Sequence, residues 1–407
     1  MKNLKLDILA RKIIYGNESI VLTPPPVRKI RGERYESLPL YDKDASGWRS
    51  GRKLLACQAH ECTFPGALLP GSVRVRQNGK WMQPGRDFLV NDHWGTVGRV
   101  PGGGLLPEEQ VTISYSFYPS RIDALVIDIT GKTVLKIGKE GMAHPEIPAI
   151  SSGKNLLANI CWHGDYSTFS EDMIYPVTET GFPADLLPVT SVPEKTLQKL
   201  RNGETVKILA WGDSVTECSY LPEKCRWQEQ FRQRLQNIYP QAKIELLTEA
   251  WGGRTTSDYF AVKAGEEHHF GEKVLAVRPD LIISEFVNDC GLPEEVFKEN
   301  YRKIKEAFDL IRAEWIILTP HYTTPAWMDL QNSKNCDDDP RALVKFLRDF
   351  ARKNQIPLAD ASCYWGRLYR QGIPYEMLFS NGINHPLEYG LSLFADALLN
   401  LFQPDKK

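Results

Sequence analysis

Polar and apolar residues alternate along the first half of the chain. In "SVRVRQNGKWMQ", Val73 and Val75 fall on one face and Arg74 and Arg76 on the other, the period-two signature of a half-buried strand. The strand is followed by Asn78-Gly79, two residues that tolerate positive φ, so a hairpin turn is predicted there. "QVTISYSFYP" repeats the alternation through Val111, Ile113, Tyr115 and Phe117, and "ALVIDITGKTVLKIG" predicts two more strands around Gly131. Gly102, Gly103 and Gly104 mark a loop. No convincing helical period occurs before residue 190, and short strands separated by turn signals predict a β-sandwich of jelly-roll or immunoglobulin-like type.

The period changes beyond "GFPADLLPVTSVPEKTLQKLRNGE", where Pro183, Pro188 and Pro193 break the alternation. "VKILAW" (206–211) reads as a strand, and Trp227, Phe231, Leu235 and Ile238 follow at helical spacing. Strand-like "KIELLT", "DLIISEF", "EWIILT" and "IPLAD" come next, separated by loops or by helices such as the one marked by Leu343, Phe346, Leu347 and Phe350. Alternating strands and helices predict a parallel sheet covered on both faces. Two domains are therefore expected: an all-β unit over 1–190 and an α/β unit over 195–407.

Composition narrows the function. The 407 residues carry 50 Lys and Arg against 51 Asp and Glu, a balance that gives no footprint for nucleic acid or an anionic membrane. A neutral, sugar-like substrate suits it at least as well as a phosphate. No window approaches the roughly 20 apolar residues of a membrane span. The start, "MKNLKLDILARKIIYGNES", has no signal-peptide core, so a soluble cytoplasmic protein is expected unless a leader has been removed. The eight Cys are scattered, which predicts mostly free thiols.

In open α/β sheets ligands bind outside the carboxyl ends of the strands, and four such ends hold chemistry-bearing residues. They are Gly212-Asp213-Ser214, the glycine loop of "EAWGGRTTS", Asn288 in "EFVNDC", and His385 in "NGINHPLEYG". Acyl transfer requires a hydroxyl next to an imidazole, with preorganised donors for the oxygen that gains charge. Ser214, His385, the N–H groups of Ser214 and Gly253, and the Asn288 amide supply those parts. Asp213 is expected mainly to fix its turn, with substrate contact as its other reading. Trp251 is a wall for a substrate ring or a core aromatic. His321 reads as a loop residue, and Asp337-Asp338-Asp339 as a solvated loop. Cys57-x-x-His60-x-Cys62 lacks a fourth ligand and the paired CxxC spacing of structural zinc sites.

The four blocks, in this order over residues 200–402, resemble the GDSL or SGNH hydrolases, a family named for its Ser, Gly, Asn and His. The resemblance implies a flavodoxin-like three-layer sheet, a Ser214 nucleophile, a His385 base, Gly253 and Asn288 as oxyanion donors, and no metal or organic cofactor. The family often has an Asp three or four residues before its His; here those positions are Gly382 and Asn381. The imidazole is then oriented by Asn381 or a backbone carbonyl, as in a Ser-His dyad, or by a carboxylate from elsewhere, with Glu285 and Glu388 the nearest by motif. Carbohydrate esterases with a β-sandwich before such a domain are similar in architecture. The expected activity is hydrolysis of short O-acyl esters, O-acetyl above all, on a small molecule or glycan. A lipase or thioesterase is the competing enzymatic reading, and a glycan-binding protein with a degenerate hydrolase domain is the reading from another class.

Overall fold

The computed structural model describes residues 4–334 and 336–403. The chain divides into two compact units. The first comprises residues 1–180 together with Tyr369–Ile383, and the second residues 181–368 together with 384–407.

The strands described in the first unit pair antiparallel and are divided among four sheets. The hairpin at Asn78-Gly79 joins Arg74–Gln77 to Lys80–Trp81, with both turn residues at positive φ (48° and 78°) as a primed turn requires. Val73, Val75, Val111, Ile113 and Tyr115 are buried together, while Arg74 and Arg76 face outward, so the alternation in sequence is the division between core and solvent. Arg121–Asp128 pairs with Thr133–Lys136 on one side and Lys154–Trp162 on the other. Among the described residues, helical structure in this unit is limited to 3₁₀ turns.

The units divide between residues 180 and 181, and Tyr369–Ile383 is grouped with the first of them. This segment belongs with the first unit, where Gln371 bridges Val177, Asn159 Nδ2 donates to the Gly372 carbonyl (2.7 Å), and His60 N donates to the Ser380 carbonyl (3.0 Å). Backbone groups of Arg370, Gln371, Gly372 and Ser380 thus find partners in residues 1–180, and sequence adjacency to the α/β unit does not outweigh those bonds.

The second unit is built on a five-stranded, wholly parallel sheet. In chain order its strands are Thr205–Gly212, Lys243–Ala250, Leu281–Glu285, Glu314–Leu318 and Leu358–Ala359, and in space they lie in the order 2-1-3-4-5. This is the flavodoxin-like arrangement expected. Val206, Ile208 and Ala210 point into one core and Leu209 and Trp211 into the other, because a strand covered on both faces has no solvent side. Trp227, Phe231 and Leu235 of the helix Trp227–Ile238 are fully buried, each contributing on the order of 2 to 3 kcal/mol by burial. Ile238, the last of the expected stripe, lies on the final turn and is 37% exposed. The strand order reverses between Thr205–Gly212 and Leu281–Glu285, whose ends meet at the pairing of Gly212 with Glu285. A crevice for ligand is expected at such a switch point.

Candidate functional site

The chain leaves its central strand through Gly212, and only glycine fits there. A Cβ would stand 2.2 Å from Thr216 Oγ1 and 2.3 Å from the Glu285 carbonyl oxygen. Asp213 then caps the short helix Ser214–Glu217, its Oδ1 accepting Val215 N–H (3.0 Å). Its Oδ2 accepts the backbone N–H of Asn288 (2.9 Å), tying the first strand's turn to the third strand's. Asp213 is fully buried, so its work is to fix the turn, and the alternative reading of it as a substrate contact is corrected. Ser214 opens the helix, which leaves its N–H outside the intrahelical ladder.

His385 Nε2 lies 3.1 Å from Ser214 Oγ, within hydrogen-bond reach although 171 residues separate them. The imidazole is held from several directions. Tyr220 stacks on it with ring centroids 4.7 Å apart and planes 3° from parallel. The Tyr220 hydroxyl donates to the Pro386 carbonyl (3.0 Å), and His321 Nε2 bonds the Asn384 carbonyl (2.7 Å). The backbone is thus pinned on both sides of His385. Burial, and the nearby Arg341 guanidinium, push the His321 pKa well down, so it meets Asn384 as a neutral N–H donor. His321 lies in the loop after Glu314–Leu318, as expected, and there it is fully buried. Tyr220 and His321 carry no local signal of these roles, since neither lies at a motif spacing from Ser214 or His385.

Gly252 and Gly253 form a β-turn closed by Arg254 N–H on the Trp251 carbonyl (3.2 Å). Gly253 has φ +73°, the conformation required at the third position of a type II turn. The turn stands close to the serine, because a Cβ on Gly252 would be 3.8 Å from Ser214 Cβ. Asn288 Nδ2 donates to the Arg254 carbonyl (3.3 Å), which brings its amide to the same turn. Trp251 is engaged in packing: His268 stacks on its ring at 4.6 Å, the Arg254 guanidinium lies 4.9 Å from the ring centroid, and its backbone N–H donates to the Gly212 carbonyl. These contacts brace the glycine turn, and the ring is only partly buried.

Glu285 is fully buried, with Oε2 accepting the Thr216 hydroxyl (3.4 Å) and Oε1 without a hydrogen-bond partner, so it does not orient His385. Glu388 is exposed at the start of the helix Glu388–Leu399, beside the Cys225 thiol. Asn381, in the first unit, uses its side-chain oxygen to close an Asx turn with Ile383 N–H (2.9 Å), and its carbonyl accepts the Cys62 thiol (3.0 Å). Beneath the serine turn lies a set of buried acids. Burial raises Asp213 above the usual carboxylate range and pushes Asp289 up to about 7. Glu285 is raised well above it by burial and by the charge of Asp213.

Residues 210–391 match the GDSL-like Lipase/Acylhydrolase family. The chain carries a GDSL-like domain. The class of enzyme is accordingly that of the carboxylic ester hydrolases. No curated protein sequence matches the chain. Among solved structures, a two-domain esterase active on acetylated mannans is 17% identical, covers 54% of this chain and 58% of its own, and superposes with a TM-score of 0.42. Axe2, an acetyl xylan esterase from Geobacillus stearothermophilus, is 17% identical over 50% of this chain and 97% of its own, with a TM-score of 0.39. The acetyl xylan esterase AlAXEase is 16% identical over 48% of this chain and 98% of its own, with a TM-score of 0.39. Ser214, Gly253 and Asn288 of the GDSL-like domain stand at the ends of three neighbouring strands, and His385 just before its last helix. No helix among the described residues is long and apolar enough to cross a membrane.

Proposed function

We propose that the protein is a serine esterase that removes short O-acyl groups, acetyl in the first place, from a carbohydrate. The single observation that carries the reading is the 3.1 Å approach of His385 Nε2 to Ser214 Oγ at the switch point of the sheet. Ser214 Oγ attacks the ester carbonyl while His385 takes its proton. The oxygen that becomes negative is received by the N–H groups of Ser214 and Gly253 and by the Asn288 amide. Collapse expels the alcohol, which leaves with the proton from His385, and a water activated by the same imidazole then frees the acid. Tyr220 and the carbonyl anchors at Asn384 and Pro386 hold the ring in the plane this transfer needs, supporting a dyad in which packing does much of the orienting. The near-neutral charge of the chain supports an uncharged substrate.

The test is release of p-nitrophenol from its acetate and butyrate esters by wild type and Ser214→Ala. Turnover that falls with acyl length and disappears in Ser214→Ala is expected. Turnover that survives in Ser214→Ala would overturn the assignment of the nucleophile, and an inert, folded wild type would favour the binding-protein reading.

A further inference from the structure

A cavity of about 330 Å³ adjoins the oxyanion side of the site and shares Asn288 with it. Its wall also includes Val287, Cys290, Thr323, Trp327 and Arg341, and it reaches Asn384, the residue before His385. The volume falls at the lower end of small-molecule pockets and is several times what a two-carbon acyl group fills.

The lining decides between occupants. A long acyl chain calls for aliphatic walls, and Val287 is the one branched aliphatic side chain in this one. Trp327 offers instead a large flat face, 51% exposed, on the short turn Pro325–Met328. The turn is firmly seated: Trp327 N–H donates to the Thr324 carbonyl (2.9 Å), and Met328 is buried with its sulfur receiving Thr323 N–H (3.2 Å). The polar members bear no net charge. Arg341 is held by Asp339 in a buried two-pronged pair, Nε to Oδ1 at 2.9 Å and Nη2 to Oδ2 at 2.5 Å, which matches its charge. Burial pushes the Cys290 thiol up to about 12, so it stays neutral. An exposed indole beside uncharged hydrogen-bonding groups suits a neutral pyranose, which is apolar on its ring faces and hydroxylated at its rim.

We infer that this cavity is the subsite for a neutral pyranose ring of the alcohol being deacylated, with Trp327 stacked against the ring and Thr323 and Asn384 facing its hydroxyls. The inference rests on the esterase reading and adds the substrate's alcohol to it.

The experiment compares kcat/KM for a mono-acetylated methyl pyranoside with that for ethyl acetate, which has no ring, in wild type, Trp327→Ala and Trp327→Phe. The sugar-over-ethyl selectivity is expected to fall about tenfold or more in Trp327→Ala, mainly through KM, and to recover largely in Trp327→Phe. Selectivity that stays within about twofold in Trp327→Ala overturns the subsite while leaving the esterase reading in place. So does a changed preference between ethyl acetate and ethyl octanoate, which would give the cavity to the acyl chain. Absence of ester turnover in wild type overturns both.

Discussion

Asn288→Ala separates a catalytic amide from a structural one. The substitution removes the Nδ2 donor and with it a single hydrogen bond to the Arg254 carbonyl, 3.3 Å long and open to solvent. A neutral bond of that kind contributes about 0.5 to 1.5 kcal/mol, so the loss of stability should lie at the low end of that range. The backbone N–H of residue 288 keeps its bond to Asp213, which preserves the turn. The proposed donor role predicts a far larger effect on the transition state, since losing one oxyanion donor costs about 2.7 to 4 kcal/mol, or ~10² to 10³ in turnover. The assay is steady-state hydrolysis of p-nitrophenyl acetate beside a urea denaturation curve for the same variant. The expected result is kcat down by about two to three orders of magnitude, KM little changed, and a denaturation midpoint close to that of wild type. A kcat within a few-fold of wild type would refute the donor role, and a matching collapse of stability would make the amide a structural one.

Tyr220→Ala removes the ring stacked on His385 and is expected to lower kcat by about two- to twelvefold, the equivalent of 0.5 to 1.5 kcal/mol for an aromatic pair. Tyr220→Phe keeps the stack and should stay nearer wild type; equal losses in the two variants would give the role to the hydroxyl bond on Pro386 instead. Glu285→Gln tests the buried acids. Because the folded-state pKa of Glu285 is raised, its native proton favours folding fully below the unfolded value of about 4.3, and that contribution is lost as pH rises through the folded value. Glutamine has no such proton, so the variant should gain on wild type with rising pH, by up to about 1.4 kcal/mol per pH unit within that window, read from urea midpoints at acid and mildly alkaline pH. A stability difference that is flat or shrinks with pH would refute the raised pKa.

Much of the site is legible in sequence because each part is a local event. A strand ends, glycine lets the chain turn, and a polar side chain is left at the sheet's rim. Gly212, Ser214, Gly253, Asn288 and His385 can all be read in this way. Tyr220 and His321 cannot, since their value to His385 depends on where long loops return in space and on no spacing along the chain. Asp213 shows the same limit: the residue type permits substrate contact, and only burial and hydrogen bonding assign it to fixing its turn. In the first unit, the Asn78-Gly79 hairpin was readable from the φ preferences of two residues. The division into four sheets was not, because strands such as Arg28–Tyr35 and Val111–Phe117 find each other across long intervals.

The excursion of Tyr369–Ile383 has a consequence for how this chain can be divided or recombined. The segment leaves the α/β unit after Leu368, is built into the β unit, and returns only two residues ahead of His385. A cut near residue 185 would therefore sever one connection and leave two others intact. A gene fragment encoding only the second half would carry these fifteen residues without the backbone bonds that Arg370, Gly372 and Ser380 make to residues 1–180, immediately upstream of the proposed base. The β unit is thus not a detachable appendage that could be exchanged at a single crossover. Exchanges that keep the histidine's approach intact must carry the Tyr369–Ile383 segment together with residues 1–180 as one inherited piece.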